Sequence, residues 1–193
     1  MTRPGGRTAR VREAVVQAVG DALIEVGLAG LDLADVARRA GVGKTTVYRR
    51  WGTVAAAVAD LVDDMVETSA PRADTGALAT DLRANADLVA ATLADPRQGR
   101  LLAALIGAAR EDERTAEALR RFYAARIAVW EPCVTDAVER GEVPRGTDAA
   151  AVVRGVSAPL YYRFLTSGNA PDETDVARAV AAAVAAAEAG AYR

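Results

Sequence analysis

The sequence predicts an all-α protein with about nine helices, arranged as a small helical head packed on a larger helical body. Apolar residues recur at three- and four-residue steps along most of the chain, which is typical of amphipathic helices. Runs with the strict alternation of a β-strand are missing. Short segments rich in Gly, Pro, Asn and Asp divide the chain, and none is long enough to be a linker between two independent globules.

The first helix is predicted over residues 7–26, and Gly27 is its expected C-terminal stop. Its apolar positions fall on one face, which should turn inward: Val11, Val15, Ala18, Val19, Ala22, Leu23 and Val26. Two short helices follow near residues 33–40 and 44–50. Asp32 is the expected N-cap of the first of them, and Asp35 also favours its positive end.

A fourth helix begins after Thr53, which is a good N-cap residue. The fifth and sixth helices carry apolar stripes that begin near Leu78 and Leu101. The seventh, over residues 113–140, is the longest, and Pro132 is expected to bend it. The eighth and ninth helices are predicted over 148–166 and 173–189.

Composition excludes several classes of function. The 193 residues include one cysteine, Cys133, and no histidine, so an intrachain disulfide, the common zinc sites and Ser-His-Asp or Cys-His catalysis are unavailable. We therefore expect no catalytic site, no metal and no cofactor. No run of about twenty apolar residues occurs, and the basic N-terminus does not resemble a secretory signal. We expect a cytoplasmic protein.

Charge is distributed unevenly along the chain. Residues 1–52 contain nine basic and five acidic side chains, whereas the remainder contains 15 basic and 21 acidic ones. A basic head on an acidic body indicates a polyanionic partner at one end of the molecule, although an excess of four charges could also arise by chance.

The stretch VARRAGVGKTTVYRRW, which starts at Val36, has the residue types and spacing expected of a helix-turn-helix. A small side chain at Ala37 lets two helices cross closely, Gly41 suits a left-handed turn, and Val47 closes the wedge between the helices. Val42 and Trp51 should also face inward.

The opposite face of the second helix must then be basic and rich in hydrogen-bond donors. Long donors can reach guanine edges in a major groove, and hydroxyl groups near a helix N-terminus can meet phosphate oxygens. The alternative is that Lys and Arg merely solvate an exposed helix. The candidate DNA-binding residues on this face and its flanks are Lys44, Thr45, Thr46, Tyr48, Arg49 and Arg50.

With these residues the chain resembles the DNA-binding head of the TetR family of transcriptional repressors. The resemblance covers about residues 7–65 and is carried by Val36-Ala37, Ala40-Gly41-Val42, Thr46-Val47-Tyr48 and Trp51. It implies a helix-turn-helix DNA-binding domain over 7–53 and a helical effector-binding and dimerisation domain over 54–193. The expected partners are a palindromic operator in double-stranded DNA, a small-molecule effector and a second copy of the chain.

Two positions depart from the family pattern. Gly43 stands where the family often has a capping serine, and Val54 stands where it usually has a lysine that contacts phosphate. Thr53, Arg38 or the N-terminal arginines Arg3, Arg7 and Arg10 could supply the missing contact. An N-terminal arm of this kind can equally be a disordered tail.

A single helix-turn-helix contacts few base pairs, so such proteins usually bind DNA as dimers. The last two helices have narrow apolar faces suited to a four-helix bundle between two copies, although the same faces would also suit the core of a monomer. The predicted interface residues are Val152, Val156, Leu160, Val176, Val180 and Val184.

Aromatic residues are concentrated on the seventh and eighth helices, with arginines among them. Such a mixture can line a ligand cavity, and it can equally be ordinary packing. The candidate effector-binding residues are Phe122, Tyr123, Arg126, Trp130, Tyr161 and Tyr162.

The sequence predicts a homodimeric repressor that a small molecule releases from DNA. The alternative is a helical small-molecule-binding protein or minor enzyme in which the head is only scaffold. An activator would have the same sequence features as a repressor.

Overall fold

The computed structural model describes residues 4–67 and 72–193, with side chains from Thr8 to Val66 and from Arg72 onward. The described residues form helices and no strands, as predicted. The helices are α1 (Pro4–Gly30), α2 (Leu33–Arg39), α3 (Lys44–Trp51), α4 (Val54–Glu67), α5 (Leu78–Ala94), α6 (Pro96–Ala108), α7 (Glu113–Arg140), α8 (Ala149–Ser167) and α9 (Glu173–Glu188).

The helix boundaries follow local signals in the sequence. Gly27 has positive φ (69°) and interrupts α1 where the sequence predicts a stop. The side chain of Asp32 accepts a hydrogen bond from the Asp35 backbone N–H, and the Thr53 hydroxyl oxygen accepts one from the Ala56 backbone N–H (3.2 Å). Both N-caps are therefore confirmed.

The described residues divide into two compact units. The first unit comprises residues 4–67 and Arg100–Tyr123. The second unit comprises residues 72–99 and Ala124–Arg193. The unit boundaries thus fall within α6 and α7. The functional division between residues 53 and 54 stays a prediction.

In the first unit, α1 packs against α2 and α4, and α3 packs against α2 and α4. The predicted inner face of α1 supplies much of the core. Val26 is an exception: it was expected to face inward, but half of its surface is exposed. It immediately precedes the break at Gly27, where the helical periodicity ends, so the stripe cannot be extended to it.

In the second unit, α5, α8 and α9 pack against one another around a single apolar cluster. The segment of α7 that belongs to this unit contributes Trp130, Cys133, Val134 and Ala137 to the same cluster. Burial raises the pKa of the Cys133 thiol to about 12, so this cysteine is an inert core residue. Among the described residues, none of the helices combines the length and the apolar character that spanning a bilayer needs.

Candidate nucleic-acid interface

The connection between α2 and α3 is a tight turn closed by backbone hydrogen bonds. Gly41 has φ of 65°, and its N–H donates to the Arg38 carbonyl oxygen (3.2 Å). The next N–H, of Val42, reaches back to the Ala37 carbonyl oxygen (3.0 Å). This pair of bonds is a Schellman motif, in which a left-handed glycine ends one helix and redirects the chain. A Cβ at Gly41 would meet no atom within 4 Å, so the backbone conformation, not space, requires glycine here.

The inner side of the motif is packed as the sequence predicts. Val36, Ala37 and Val47 are fully buried, and Trp51 is nearly so, whereas Val42 is only half-buried. Fully buried valines at both Val36 and Val47 leave little freedom for α3 to rotate against α2.

A polar network that the sequence does not predict fixes the C-terminal end of α3. The indole Nε1–H of Trp51 donates to Asp60 on α4 (2.9 Å). Asp60 also accepts from the guanidinium of Arg12 on α1 (3.0 Å), and Arg12 pairs with Asp64 as well (2.7 Å). These side chains are mostly shielded from solvent, which strengthens the network. Three helices are therefore tied together at Asp60.

The outer face of α3 is exposed and cationic. The residues Lys44, Thr45, Tyr48, Arg49 and Arg50 are all exposed, and Thr46 is half-buried. Among the described residues, no carboxylate forms an ion pair with Lys44 or Arg49, although both carry full positive charges. These two side chains are free to bind an external anion. Lys44, at the first position of α3, is also the only lysine in the sequence.

Arg50 is more constrained than Arg49. Its guanidinium lies over the Trp51 ring, 4.9 Å from the centroid, and one of its nitrogens donates a long hydrogen bond to the Thr8 carbonyl oxygen (3.5 Å). The contact orients Arg50 toward the beginning of α1 without neutralising its charge.

The flanking candidates have different surroundings. The Thr53 hydroxyl oxygen accepts the capping bond of α4, and its proton remains available to a phosphate. Arg38 pairs with Asp35, so it would have to exchange that partner for DNA. Arg39, and secondarily Arg38, hold the pKa of the Asp35 carboxyl below its ordinary value. The side chain of Arg7 lies outside the described residues.

The candidate effector residues are distributed over the two units. Phe122 and Tyr123 belong to the first unit, where their rings form an edge-to-face pair with centroids 5.2 Å apart. The second unit contains Arg126, Trp130 and Tyr161 in buried or half-buried positions. Tyr162 is 71% exposed on α8, so the structure corrects its assignment to a cavity lining: one residue further along a helix turns a side chain by about 100°.

The predicted interface residues on α8 and α9 lie inside the core of the second unit. All but Val184 are buried there against helices of the same chain, and Val184 is half-buried. Their burial corrects the choice of residues, because a side chain enclosed by its own subunit cannot also cover a partner. The outer faces of the two helices carry instead the exposed residues Ala158, Tyr162, Leu165, Ala177, Ala181 and Ala185.

The first unit contains a helix-turn-helix whose second helix is exposed and cationic, and the second unit is helical and has its own core. This combination defines the class of helix-turn-helix transcriptional regulators. Residues 72–183 match the family described as tetracyclin repressor-like, C-terminal domain, and residues 21–56 match bacterial regulatory proteins of the tetR family. The chain belongs to the TetR family of transcriptional regulators.

Two relatives illustrate the similarity in sequence. The HTH-type transcriptional regulator AqdR of Rhodococcus erythropolis is 32% identical over 147 residues, which cover 76% of this chain and 70% of AqdR. The uncharacterized HTH-type transcriptional regulator YdeS of Bacillus subtilis is 29% identical over 165 residues, which cover 85% and 83% of the two chains.

Solved structures extend the similarity to the fold. The TetR family transcription regulator SCO0332 has a TM-score of 0.68 and 32% identity, with 91% of this chain and 97% of that chain covered. Salmonella enterica GusR has a TM-score of 0.76 at 17% identity, with 97% and 98% covered, and shows the shared fold alone.

Proposed function

We propose that the chain is a homodimeric repressor that binds a palindromic DNA operator through α3 and leaves it when a small molecule binds the helical body. The unpaired cationic face of α3 is the observation that carries the proposal. Lys44 and Arg49 have no carboxylate partner among the described residues, and the opposite face of the same helix is locked by Val47 and Trp51. A rigid helix with free long donors is suited to a major groove. This function places the protein in the cytoplasm.

The contacts divide by chemistry. Arg49 is a long planar donor that can bind guanine O6 and N7 together, so we assign it to base recognition. Lys44, Thr45 and Thr46 lie in the first turn of α3, where backbone N–H groups also favour an anion, so we assign them to phosphate. Tyr48 and Arg50 flank the same face. Thr53, at the start of α4, is the candidate phosphate contact that replaces the lysine missing at Val54.

The dimer is proposed on the outer faces of α8 and α9. Tyr162 and Leu165 are the large apolar side chains of the second unit with the greatest exposure among the described residues, and they lie one turn apart on α8. The exposed face of α9 carries Ala177, Ala181 and Ala185, whose small side chains allow a second helix to approach closely. These two faces support a twofold interface that would hold two heads on adjacent half-sites.

Selection of bound duplexes from random DNA at defined salt tests binding and twofold symmetry together. We expect enrichment of an inverted repeat whose half-sites are one helical turn, or a multiple of it, apart. Arg49→Ala should weaken binding by about 1–3 kcal/mol per half-site and relax the sequence preference, whereas Lys44→Ala should weaken all sequences alike and lower the salt dependence. Arg145→Ala, which removes an exposed arginine from the turn before α8, is the matched control and should have no effect.

Absence of enrichment, or affinity that Arg49→Ala and Lys44→Ala leave unchanged, would contradict the proposal. That result would favour a helical small-molecule-binding protein in which the head is scaffold.

A further inference from the structure

The second unit contains a buried donor that forms no hydrogen bond with the described residues. Trp130 is 2% exposed, and its indole Nε1–H has no hydrogen-bond partner in the part of the chain that the structure describes. Buried polar groups are nearly always paired, because leaving one unpaired costs about 1–3 kcal/mol. An unpaired donor at this position therefore marks a place where a partner of another kind is expected.

Arg126 lies one helical turn before Trp130 on α7, so the two side chains share a face of that helix. It is half-buried, and among the described residues no carboxylate forms an ion pair with it. Burial lowers the pKa of the Arg126 guanidinium below its ordinary value, and the nearby Tyr161 on α8 acts in the opposite direction. The arginine nonetheless remains charged at neutral pH.

Other half-buried arginines of the same unit form ion pairs with carboxylates of the same chain. Arg72 pairs with Asp136 (3.3 Å), Arg83 with Glu173 (2.6 Å), and Arg163 with Asp175. A charge withdrawn from water requires a counter-ion or strong hydrogen bonds. Arg126 differs from these arginines in that no carboxylate of the described part of the chain pairs with it.

We propose that Arg126 and Trp130 bind the carboxylate of a small amphipathic molecule, whose apolar part packs among the core residues of the second unit. The planar guanidinium matches the two oxygens of a carboxylate, and the indole N–H adds a third hydrogen bond. One cation next to neutral aromatic groups is suited to a monoanion and not to a phosphate dianion. The Trp130 ring and Leu160 belong to the apolar cluster that would accommodate the rest of the molecule. The inference rests on the proposed function, because it names the chemical class of the effector.

Calorimetric titration of the full-length protein with matched pairs of ligands tests this proposal. The probes are octanoate with octanamide and benzoate with benzamide, which differ in charge but hardly in shape. Octanoate or benzoate should bind at least about tenfold more tightly than its amide, which corresponds to about 1.4 kcal/mol. Arg126→Gln should abolish the preference, and Arg126→Lys should retain part of it because the charge remains. Arg145→Gln is the control for loss of an exposed arginine and should behave as wild type.

A spectroscopic readout on the wild-type protein keeps the test valid even if Arg126→Gln does not fold. The sequence contains two tryptophans, so an NMR spectrum has two indole N–H signals, and Trp130→Phe identifies the one from Trp130. Octanoate or benzoate should shift that signal downfield, as expected for a new hydrogen bond to an oxyanion. Equal binding of acid and amide, binding of neither, or a preference that survives Arg126→Gln would overturn the proposal.

Operator binding by the same ligand-free sample separates this inference from the proposed function. If the protein binds its selected operator but no carboxylate, the anion site is wrong and the regulator proposal stands. If it binds carboxylates but no DNA, the proposed function is wrong and the anion site stands.

Discussion

The two tryptophans lie in different units and differ in how their indole groups are paired. Trp51 in the first unit donates its N–H to Asp60, which also accepts from Arg12. Trp130 in the second unit is more deeply buried, yet its N–H has no partner among the described residues. Apart from Arg163 Nε, which contacts the Asp175 carboxylate, the buried side-chain atoms without a hydrogen bond, as far as the structure describes them, all belong to the second unit: Arg72 Nη1, Asp81 Oδ2, Asn85 Oδ1 and Trp130 Nε1.

The difference indicates how the two units use polar groups. In the first unit, the network around Asp60 fixes the end of α3, as the proposed fit of this helix into a DNA groove requires. In the second unit, Arg163 is ion-paired with Asp175, but the Trp130 N–H and the Asn85 side-chain carbonyl oxygen have no hydrogen-bond partner among the described residues, which costs free energy. In the proposed anion site, an external carboxylate would complete the Trp130 N–H.

The largest expected effect comes from breaking the paired network. Asp60→Ala should lower the free energy of unfolding by about 3 kcal/mol, because the Trp51 N–H loses its acceptor and Arg12 loses its ion pair with the Asp60 carboxylate. Urea denaturation measures this change. Asp63→Ala, also on α4, removes an exposed ion pair with Arg121 (3.2 Å) and should change stability by less than about 1 kcal/mol. Equal effects of the two variants would show that Asp60 has no special role.

Replacing each tryptophan by phenylalanine tests the comparison directly. Trp51→Phe should destabilise the protein by about 2 kcal/mol more than Trp130→Phe, because only the former loses a hydrogen bond to a charged group. In Trp130→Phe, removal of an unpaired donor offsets the cavity that the smaller ring leaves. Thermal and urea unfolding of both variants measure the difference. If Trp130→Phe proves the more damaging, the buried indole N–H of the second unit has a partner after all.

The smallest expected effect concerns the backbone of the head. Gly41→Ser should cost about 1 kcal/mol and weaken operator binding, because its φ of 65° disfavours any side chain. Gly43→Ser is the matched control: neither glycine has an atom within 4 Å of an added Cβ, but Gly43 has φ of −62° and occupies the N-cap of α3. A serine there should stabilise the helix by a few tenths of a kcal/mol. Similar losses at both positions would mean that the turn does not depend on its left-handed residue.

The head could be predicted closely because its signals are local. The Asp32 cap, the left-handed Gly41 and the inward Val47 each depend on residues within one or two turns, and all three are confirmed. The Arg12–Asp60–Trp51 network was not predicted, since it joins residues as much as 48 positions apart. Only the packing of α1, α3 and α4 brings these side chains together.

The body was harder to interpret for a physical reason. An apolar stripe such as Val152, Val156 and Leu160 shows that one face of a helix is covered, but periodicity does not show whether its own chain or a second copy covers it. The structure places these residues in the core and leaves Tyr162 and Leu165 exposed. Adjacent tyrosines at 161 and 162 likewise looked equivalent in the sequence, although they point in different directions.

The solitary lysine at the first position of α3 allows the proposed DNA contact to be probed by chemical modification. Apart from an α-amino group, Lys44 is the site at which an amine-specific reagent can modify this chain, since every other basic side chain is arginine. Acylation would remove its charge without altering the neighbouring guanidinium groups. The mass of a single adduct, followed with and without a duplex, would therefore report how far that one helix end is covered.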